Sequence, residues 1–192
     1  ASGRKQKLRG RSEEKSVVSY ERAGAMPCFV GLKHYFKRKK RVKVLIIIPA
    51  YNEEKSIKKV IERLQSTCPQ YDYVIINDGS TDRTKEICKK NQYHVLNLPE
   101  NRGLTSGIQT GMRYALKNGY DAALQFDADG QHLPEYIEDM VKYMEEKNCD
   151  IVIASRYYGT KMPIRMRTIG GKMISAAIWL TTGKHLTDPT SG

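Results

Sequence analysis

The chain has no apolar run approaching the roughly 18 residues that a membrane-spanning helix needs, and Met26 to Leu32 is too short and too interrupted for a signal core. A soluble or peripheral protein is therefore expected. Cysteine is also sparse. Cys28, Cys68, Cys88 and Cys149 lie 40, 20 and 61 residues apart and form no CxxC pair, which argues against a secreted disulfide scaffold. They read as structural thiols in a reducing, cytoplasmic setting. Net charge is nearly absent from most of the chain. Residues 1–43 hold 14 Lys+Arg against 3 Asp+Glu, a net of +11, while the remaining 149 residues carry 19 basic and 18 acidic, a net of +1. No nucleic-acid partner is implied for the folded part.

The basicity belongs to a tail. Residues 1–41 lack a steady apolar period and close on Lys37, Arg38, Lys39, Lys40 and Arg41, so they cannot bury enough surface to offset their ordering entropy. A flexible basic tail is expected, with Met26 an alternative natural start. Phe29, Val30, Leu32, Tyr35 and Phe36 beside the basic run suit a lipid headgroup layer, where each Lys or Arg adds about 1 kcal/mol on an anionic surface. A plainly solvated arm is the competing reading.

From Val42 the pattern changes. Val44 to Ile48 form a continuous apolar run ended by Pro49, as in a strand buried on both faces. Asn52 is placed to cap a helix through Ile57, Val60, Ile61 and Leu64. A second strand spans Tyr73 to Ile76, and Ser80 or Thr81 can cap the helix that runs towards Lys90. A third strand covers His94 to Leu98, and helical spacing returns from Leu104 to Leu116 before the Asn118-Gly119 stop. Ala122 to Phe126 is the fourth strand, Tyr136 to Met144 a helix, and Ile151 to Ala154 the fifth strand. This alternation predicts an α/β domain over 42–192 with a mainly parallel sheet, its ligand at the carboxyl ends of the strands.

Chemistry gathers at those ends. The loop after strand 1 carries Pro49, Ala50, Tyr51, Asn52 and Glu53; the loop after strand 2 carries Asp78, Gly79, Ser80 and Asp82; the loop after strand 4 carries Asp127, Ala128, Asp129 and Gln131. Asn52, Asp78 and Asp129 are individually ordinary turn formers and caps. Together they put carboxylates on one cleft, where they repel unless a cation or donors offset them. Asp127 and Asp129, spaced i and i+2, share one side of an extended backbone and suit Mg²⁺ or Mn²⁺, with the Gln131 amide oxygen on the same face if the run stays extended.

Ile-Pro-Ala-Tyr-Asn-Glu-Glu at 48–54, Ile-Asn-Asp-Gly-Ser-Thr-Asp at 76–82, Asn-Arg-Gly at 101–103 and Phe-Asp-Ala-Asp-Gly-Gln at 126–131 occur in order. This series resembles the motifs of family 2 glycosyltransferases with the GT-A fold, nearest the dolichol- or polyprenyl-phosphate mannosyl- and glucosyltransferase type, over roughly residues 43–192. The resemblance implies that Pro49, Ala50, Tyr51, Glu53 and Ala128 line the nucleotide pocket and that Asp78 contacts base or ribose. It implies that Asp127 holds ribose and metal-side phosphates, while Asp129 and Gln131 bind a divalent ion bridging the diphosphate. Arg102 either helps there or forms a surface ion pair.

On the acceptor side, Ser155-Arg156 resembles the family's Ser-Arg, and Arg156 suits bidentate phosphate binding unless it pairs with Asp127 or Asp129. Arg165 and Arg167 precede the apolar stretch Ile174 to Leu180, which reads either as core or as the membrane-facing helix of lipid-phosphate members. Asp188 aligns with the family's proposed catalytic base, a role that a sugar hydroxyl needs and an anionic lipid phosphate does not. In the relatives the Asp-x-x-Ser-Gly segment continues, so the chain is expected to stop inside the acceptor site.

The expected function is a metal-dependent, inverting transfer of a sugar from a GDP-, UDP- or dTDP-sugar to a lipid phosphate, with a glycan hydroxyl as the alternative acceptor. A non-catalytic nucleotide-binding fragment is the second alternative. Asp-Ala-Asp-Gly also resembles the nucleophile loop of haloacid dehalogenase phosphatases, but Gln131 stands where those have Thr or Val, and the loop follows a late strand. A sugar-nucleotide pyrophosphorylase would need a Gly-rich loop after strand 1, and Pro49-Ala50-Tyr51-Asn52 is not one.

Overall fold

The computed structural model describes residues 42–147 and 149–155, the strands Val17–Glu21 and Cys28–Gly31, and four helical positions, Ile174, Ala176, Trp179 and Leu180. Seven strands form one sheet: β1 (Val17–Glu21), β2 (Cys28–Gly31), β3 (Val44–Ala50), β4 (Asp72–Asn77), β5 (Val95–Asn97), β6 (Ala122–Gln125) and β7 (Ile151–Ser155). Their spatial order is β1-β7-β2-β6-β3-β4-β5. Only β2 runs antiparallel to its neighbours; β6, β3, β4 and β5 form a continuous parallel block. The architecture is the mainly parallel α/β sheet with flanking helices that the alternating pattern predicts.

The helices are α1 (Ile57–Thr67), α2 (Thr84–Lys90), α3 (Leu104–Lys117) and α4 (Ile137–Lys147). Every residue of β3 is buried, and its two-residue period sorts the core into layers. Val44, Ile46, Ile48 and Ala50 meet Ile57, Val60, Ile61 and Leu64 of α1 and Ile137, Met140, Val141 and Met144 of α4. Leu45 and Ile47 point the other way, into a cluster with Val74, Ile76 and Ala115 of α3. Each fully buried aliphatic side chain contributes about 1.5–3 kcal/mol. On the α3 side the layers touch closely, because a Cβ at Gly111 would lie 2.3 Å from Ile47 Cγ2. Glycine is what lets α3 approach β3 there.

Two helix starts differ from the sequence expectation. Asn52 does not cap α1; it has φ 57 and lies before the helix, whose N-cap is Ser56. Neither Ser80 nor Thr81 caps α2, whose N-cap is Arg83. The side chains of Asn52 and Ser80 bond across to each other's loops instead. The sheet also takes in Val17–Glu21 beside β7 and Cys28–Gly31 between β6 and β7, where the sequence reading placed no strand. The first carries Val17, Val18 and Tyr20 and the second Phe29 and Val30, residue types that suit a pleated surface. Among the described residues Cys68, Cys88 and Cys149 are buried free thiols, and no helix is long and apolar enough to cross a membrane. Burial pushes the Cys68 thiol up to about 11, helped by the nearby charges of Glu138 and Glu135, and pushes Cys88 up to about 11 by itself. Both therefore stay as thiols at neutral pH.

Candidate active site

In the parallel block the chain leaves β3 in one direction to build β4 and β5 and returns on the other side as β6. The loops after β3 and β6 therefore separate at a topological switch point, where open α/β sheets bind ligands. A cleft of about 380 Å³ lies there, lined by Pro49, Ala50, Tyr51, Glu53, Asp78, Asn101, Gly103, Leu104, Gly107, Asp127, Ala128 and Asp129. Its two halves are anchored to the sheet: Asp78 N–H donates to Ala50 O at 2.9 Å, and Phe126 N–H donates to Ile47 O at 2.9 Å.

The first two loops are interlocked by polar groups. Asn52 Oδ1 accepts the N–H groups of Thr81 at 2.8 Å and Asp82 at 3.3 Å, while Asn52 N–H donates to Ser80 Oγ at 3.0 Å. Glu53 N–H donates to Thr84 Oγ1 and Glu54 N–H to Asp82 Oδ2, each at 2.9 Å. In return Arg83 N–H donates to Glu54 Oε2 at 3.1 Å. Burial alone would raise the Asp82 carboxyl, but hydrogen bonds from the Thr84 hydroxyl and N–H and the Glu54 N–H outweigh it and hold it below the ordinary carboxylate range.

Asp78 is 4% exposed and ties in a third loop, accepting Arg102 N–H on Oδ1 at 2.9 Å and Gly103 N–H on Oδ2 at 2.8 Å. The chain can pass this close only because Gly79 follows. A Cβ there would sit 2.5 Å from the backbone of Glu100 and Asn101, and its φ is +66. Arg102 itself turns outward to Glu100, Nη2 to Oε1 at 2.8 Å, so its side chain is a surface ion pair.

The acidic loop is built differently. The chain does not stay extended after Asp127: Asp129 Oδ1 accepts Gln131 N–H at 2.9 Å, and Gly130 takes φ 81. This turn corrects the expectation that an extended run sets Gln131 on the same face as the two carboxylates. Asp127 and Asp129 still line one cleft, while Gln131 is exposed and lies outside its lining. Asp127 Oδ1 accepts Gln125 Nε2–H at 3.0 Å. Each carboxylate therefore retains oxygen lone pairs for a further partner, and hard oxygen donors of this kind suit Mg²⁺ or Mn²⁺. Among the described residues no three His, Cys, Asp or Glu side chains group as a metal site. Two carboxylates with open positions fit an ion that a ligand's phosphates help to hold.

The family model described as "Glycosyl transferase family 2" matches residues 45–190. The chain belongs to that family. It is 34% identical over 153 residues to an uncharacterized protein of Methanocaldococcus jannaschii, covering 78% of this chain and 62% of that one. It is 33% identical over 171 residues to the UDP-N-acetylglucosamine–dolichyl-phosphate N-acetylglucosaminyltransferase of Methanococcus voltae, covering 78% and 67%. It is 32% identical over 150 residues to the undecaprenyl-phosphate mannosyltransferase of Micrococcus luteus, covering 76% and 56%. The chain thus spans between about half and two thirds of these curated relatives. Among solved structures, a mannosyltransferase from Pyrobaculum calidifontis in complex with GDP-Man and Mn²⁺ aligns with TM-score 0.47 at 20% identity, over 55% of this chain and 33% of that one.

In this family 2 chain the structure brings Pro49, Ala50, Tyr51, Glu53, Asp78, Asp127, Ala128 and Asp129 together on one cleft. Asn52 and Asp82, also in those loops, are outside the lining and brace the walls. Arg156, Arg165, Arg167 and Asp188 lie outside the described residues. Leu104 and Gly107 are lining residues that sequence reasoning missed. They line the cleft because α3 starts at its edge, and the Asn-Arg-Gly motif directly before Leu104 was the available signal. A Cβ on Gly107 would meet Pro49 Cβ at 3.7 Å, which shows how near the helix stands to the β3 loop.

Proposed function

We propose that this chain is the donor-binding part of a metal-dependent, inverting glycosyltransferase that moves a sugar from a nucleoside diphosphate to a polyprenyl or dolichyl phosphate. The observation that carries the donor half is the single cleft at the switch point. It joins Tyr51, a 46% exposed aromatic able to stack on a base, to the carboxylates of Asp127 and Asp129. Pro49, Ala50, Glu53, Asp78 and Ala128 form the base and ribose wall in this reading. The start of α3 at Leu104 adds unpaired N–H groups and the positive end of a helix dipole on the side where a diphosphate would lie.

Asp127 and Asp129 would hold Mg²⁺ or Mn²⁺, which neutralises charge on the leaving diphosphate as a Lewis acid. The chain's own contribution is orientation. The interlocked loops hold the nucleoside end still, and Asp78 fixes the loop at 101–103 beside it. Inversion follows if the acceptor oxygen attacks the anomeric carbon in line, the C–O bond to the diphosphate breaking as the new one forms. A lipid phosphate is already anionic and needs no base. In this reading Arg156, Arg165 and Arg167 receive that phosphate, and Asp188 serves position more than proton transfer. The acceptor class is supported by the dolichyl- and undecaprenyl-phosphate enzymes of the two named relatives. The exposed apolar residues Ile174, Trp179 and Leu180 suit peripheral contact with a membrane surface.

The test is sugar transfer by the chain, with Mn²⁺, from UDP-GlcNAc and GDP-mannose to dolichyl phosphate in vesicles and, in parallel, to a free oligosaccharide. A chloroform-soluble glycolipid from one donor supports the reading. Transfer to the oligosaccharide with none to the lipid would replace the acceptor, and release of inorganic phosphate from a simple ester would point to a phosphatase.

A further inference from the structure

The acidic loop borders a second cavity. About 330 Å³ in volume, it lies between that loop and α1, and Asp129 lines both it and the donor cleft. Val60, Phe126 and Pro134 close it with apolar surface. The turn at Gly130 stands directly over the helix, since a Cβ there would meet Val60 Cγ2 at 3.6 Å. Three cations line the same space. Lys55, Lys59 and Arg63 recur every fourth residue, so they follow one face of α1 and the turn before it, each about 6 Å further along the axis.

The fold leaves two of these charges unbalanced. Lys58, outside the cavity lining, pairs with Glu62 at 3.7 Å. Among the described residues Lys55 and Lys59 have no hydrogen bond or ion pair, and Asp129 forms an ion pair with neither. Arg63 gives Nε and Nη2 to Glu135 Oε1 at 3.2 and 2.7 Å, which leaves its Nη1 donors open. Like charges four residues apart oppose a helix, and α1 has no acidic residue in its first turn to offset them. Such a departure from local rules is expected where a ligand supplies the balance.

We propose that this cavity binds a phosphate group, held between the ammonium groups of Lys55 and Lys59 with Arg63 as a third donor. Two point charges beside a planar fork suit a tetrahedral anion with several acceptor oxygens. The phosphate belongs either to a soluble compound or to the headgroup of a lipid phosphate. The pocket needs neither nucleotide nor metal, so it stands or falls apart from the donor site.

Two probes test it, both in EDTA at constant ionic strength. Inorganic phosphate, titrated into the ¹⁵N-labelled chain, should shift the amides of residues 55–63 and 129–132 saturably. Flotation with phosphatidylcholine vesicles carrying dolichyl phosphate reads the lipid source. The double variant Lys55→Gln/Lys59→Gln should melt at or above the wild-type temperature and weaken the probe that fits by about 10-fold or more. Lys58→Gln, one charge fewer on the same helix but outside the cavity, should change affinity by less than about twofold. Residues 1–41 are the same in every chain, so their basic charge cancels in the comparison. Loss of the phosphate shifts alone assigns a soluble ligand, and loss of flotation assigns the headgroup. Retention of both signals by the double variant, an equal loss in Lys58→Gln, or a wild-type chain that responds to neither probe would overturn the site.

Discussion

The two walls of the cleft are made in opposite ways. On the side of β3 and β4, Asn52, Glu54, Ser80, Asp82 and Thr84 bond between loops that lie about 30 residues apart in sequence. On the side of β6, Asp129, Gly130 and Gln131 are exposed, and Asp129 bonds to the N–H of Gln131 two residues on. The first wall is finished before any ligand arrives. The second uses one oxygen of each carboxylate for the Gln125 amide and the Gln131 N–H and leaves lone pairs on Asp127 and Asp129 open to a cation. A binding site that must hold one end of a ligand rigidly and recruit an ion at the other end needs this difference.

The sharpest way to break that contrast is Asp129→Ala. Removing an exposed carboxylate should cost at least about 100-fold in metal-dependent diphosphate affinity, in line with loss of a metal ligand, while surface exposure keeps the stability change within about 0.5 kcal/mol. Calorimetry and a melting curve read the two effects; a large loss of stability with binding intact would reverse the roles of the walls. Gly79→Ala attacks the rigid wall through its backbone. With φ +66 and a would-be Cβ 2.5 Å from Asn101 N, it should destabilise the fold by about 2–4 kcal/mol, measured by denaturant unfolding. An unchanged midpoint would mean that the loop at 100–103 moves freely.

Asn52→Ala removes the acceptor shared by Thr81 and Asp82 and should cost about 1–2 kcal/mol in the same measurement, with diphosphate affinity altered only a few-fold. A loss of affinity as large as that of Asp129→Ala would show that Asn52 contacts the ligand. The smallest effect is one of pH. The folded-state carboxyl of Asp82 titrates below its ordinary value, so its contribution to stability is fully present above the ordinary carboxylate range and is lost as pH falls through the depressed value. Stability measured from pH 5 downward should fall less steeply in Asp82→Asn than in wild type, and parallel curves would remove Asp82 from the brace.

Much of this was legible in the chain itself. The apolar run at 44–48 ended by Pro49 reads as a strand covered on both faces, and the helical spacing of Ile57, Val60, Ile61 and Leu64 marks the layer that covers one of them. Residues at strand ends had to meet, which is why Pro49, Tyr51, Asp78 and Asp127 were found together. The caps were not legible, because Asn52 and Ser80 satisfy partners 28 or 29 positions away and local rules see only the next helix. The face of Gln131 was misplaced for the same reason: whether a short acidic run extends or turns is decided by Gly130 and by the Asp129 bond to Gln131 N–H. His132, whose Nδ1 accepts the Asp127 N–H at 2.9 Å, went unnoticed because a lone histidine after a turn carries no signal until the turn folds it under Asp127. The strand Cys28–Gly31 lies beside a basic run whose charge dominated the reading of that segment.

The most direct measurement is calorimetric titration of the chain with UDP, GDP and dTDP, each in Mn²⁺ and in EDTA, beside the Asp129→Ala and Asn52→Ala variants. The account predicts that one diphosphate binds, that EDTA abolishes most of its affinity, and that Asp129→Ala reproduces the EDTA result while Asn52→Ala does not. Binding of equal strength in Mn²⁺ and EDTA, unaffected by Asp129→Ala, would contradict it.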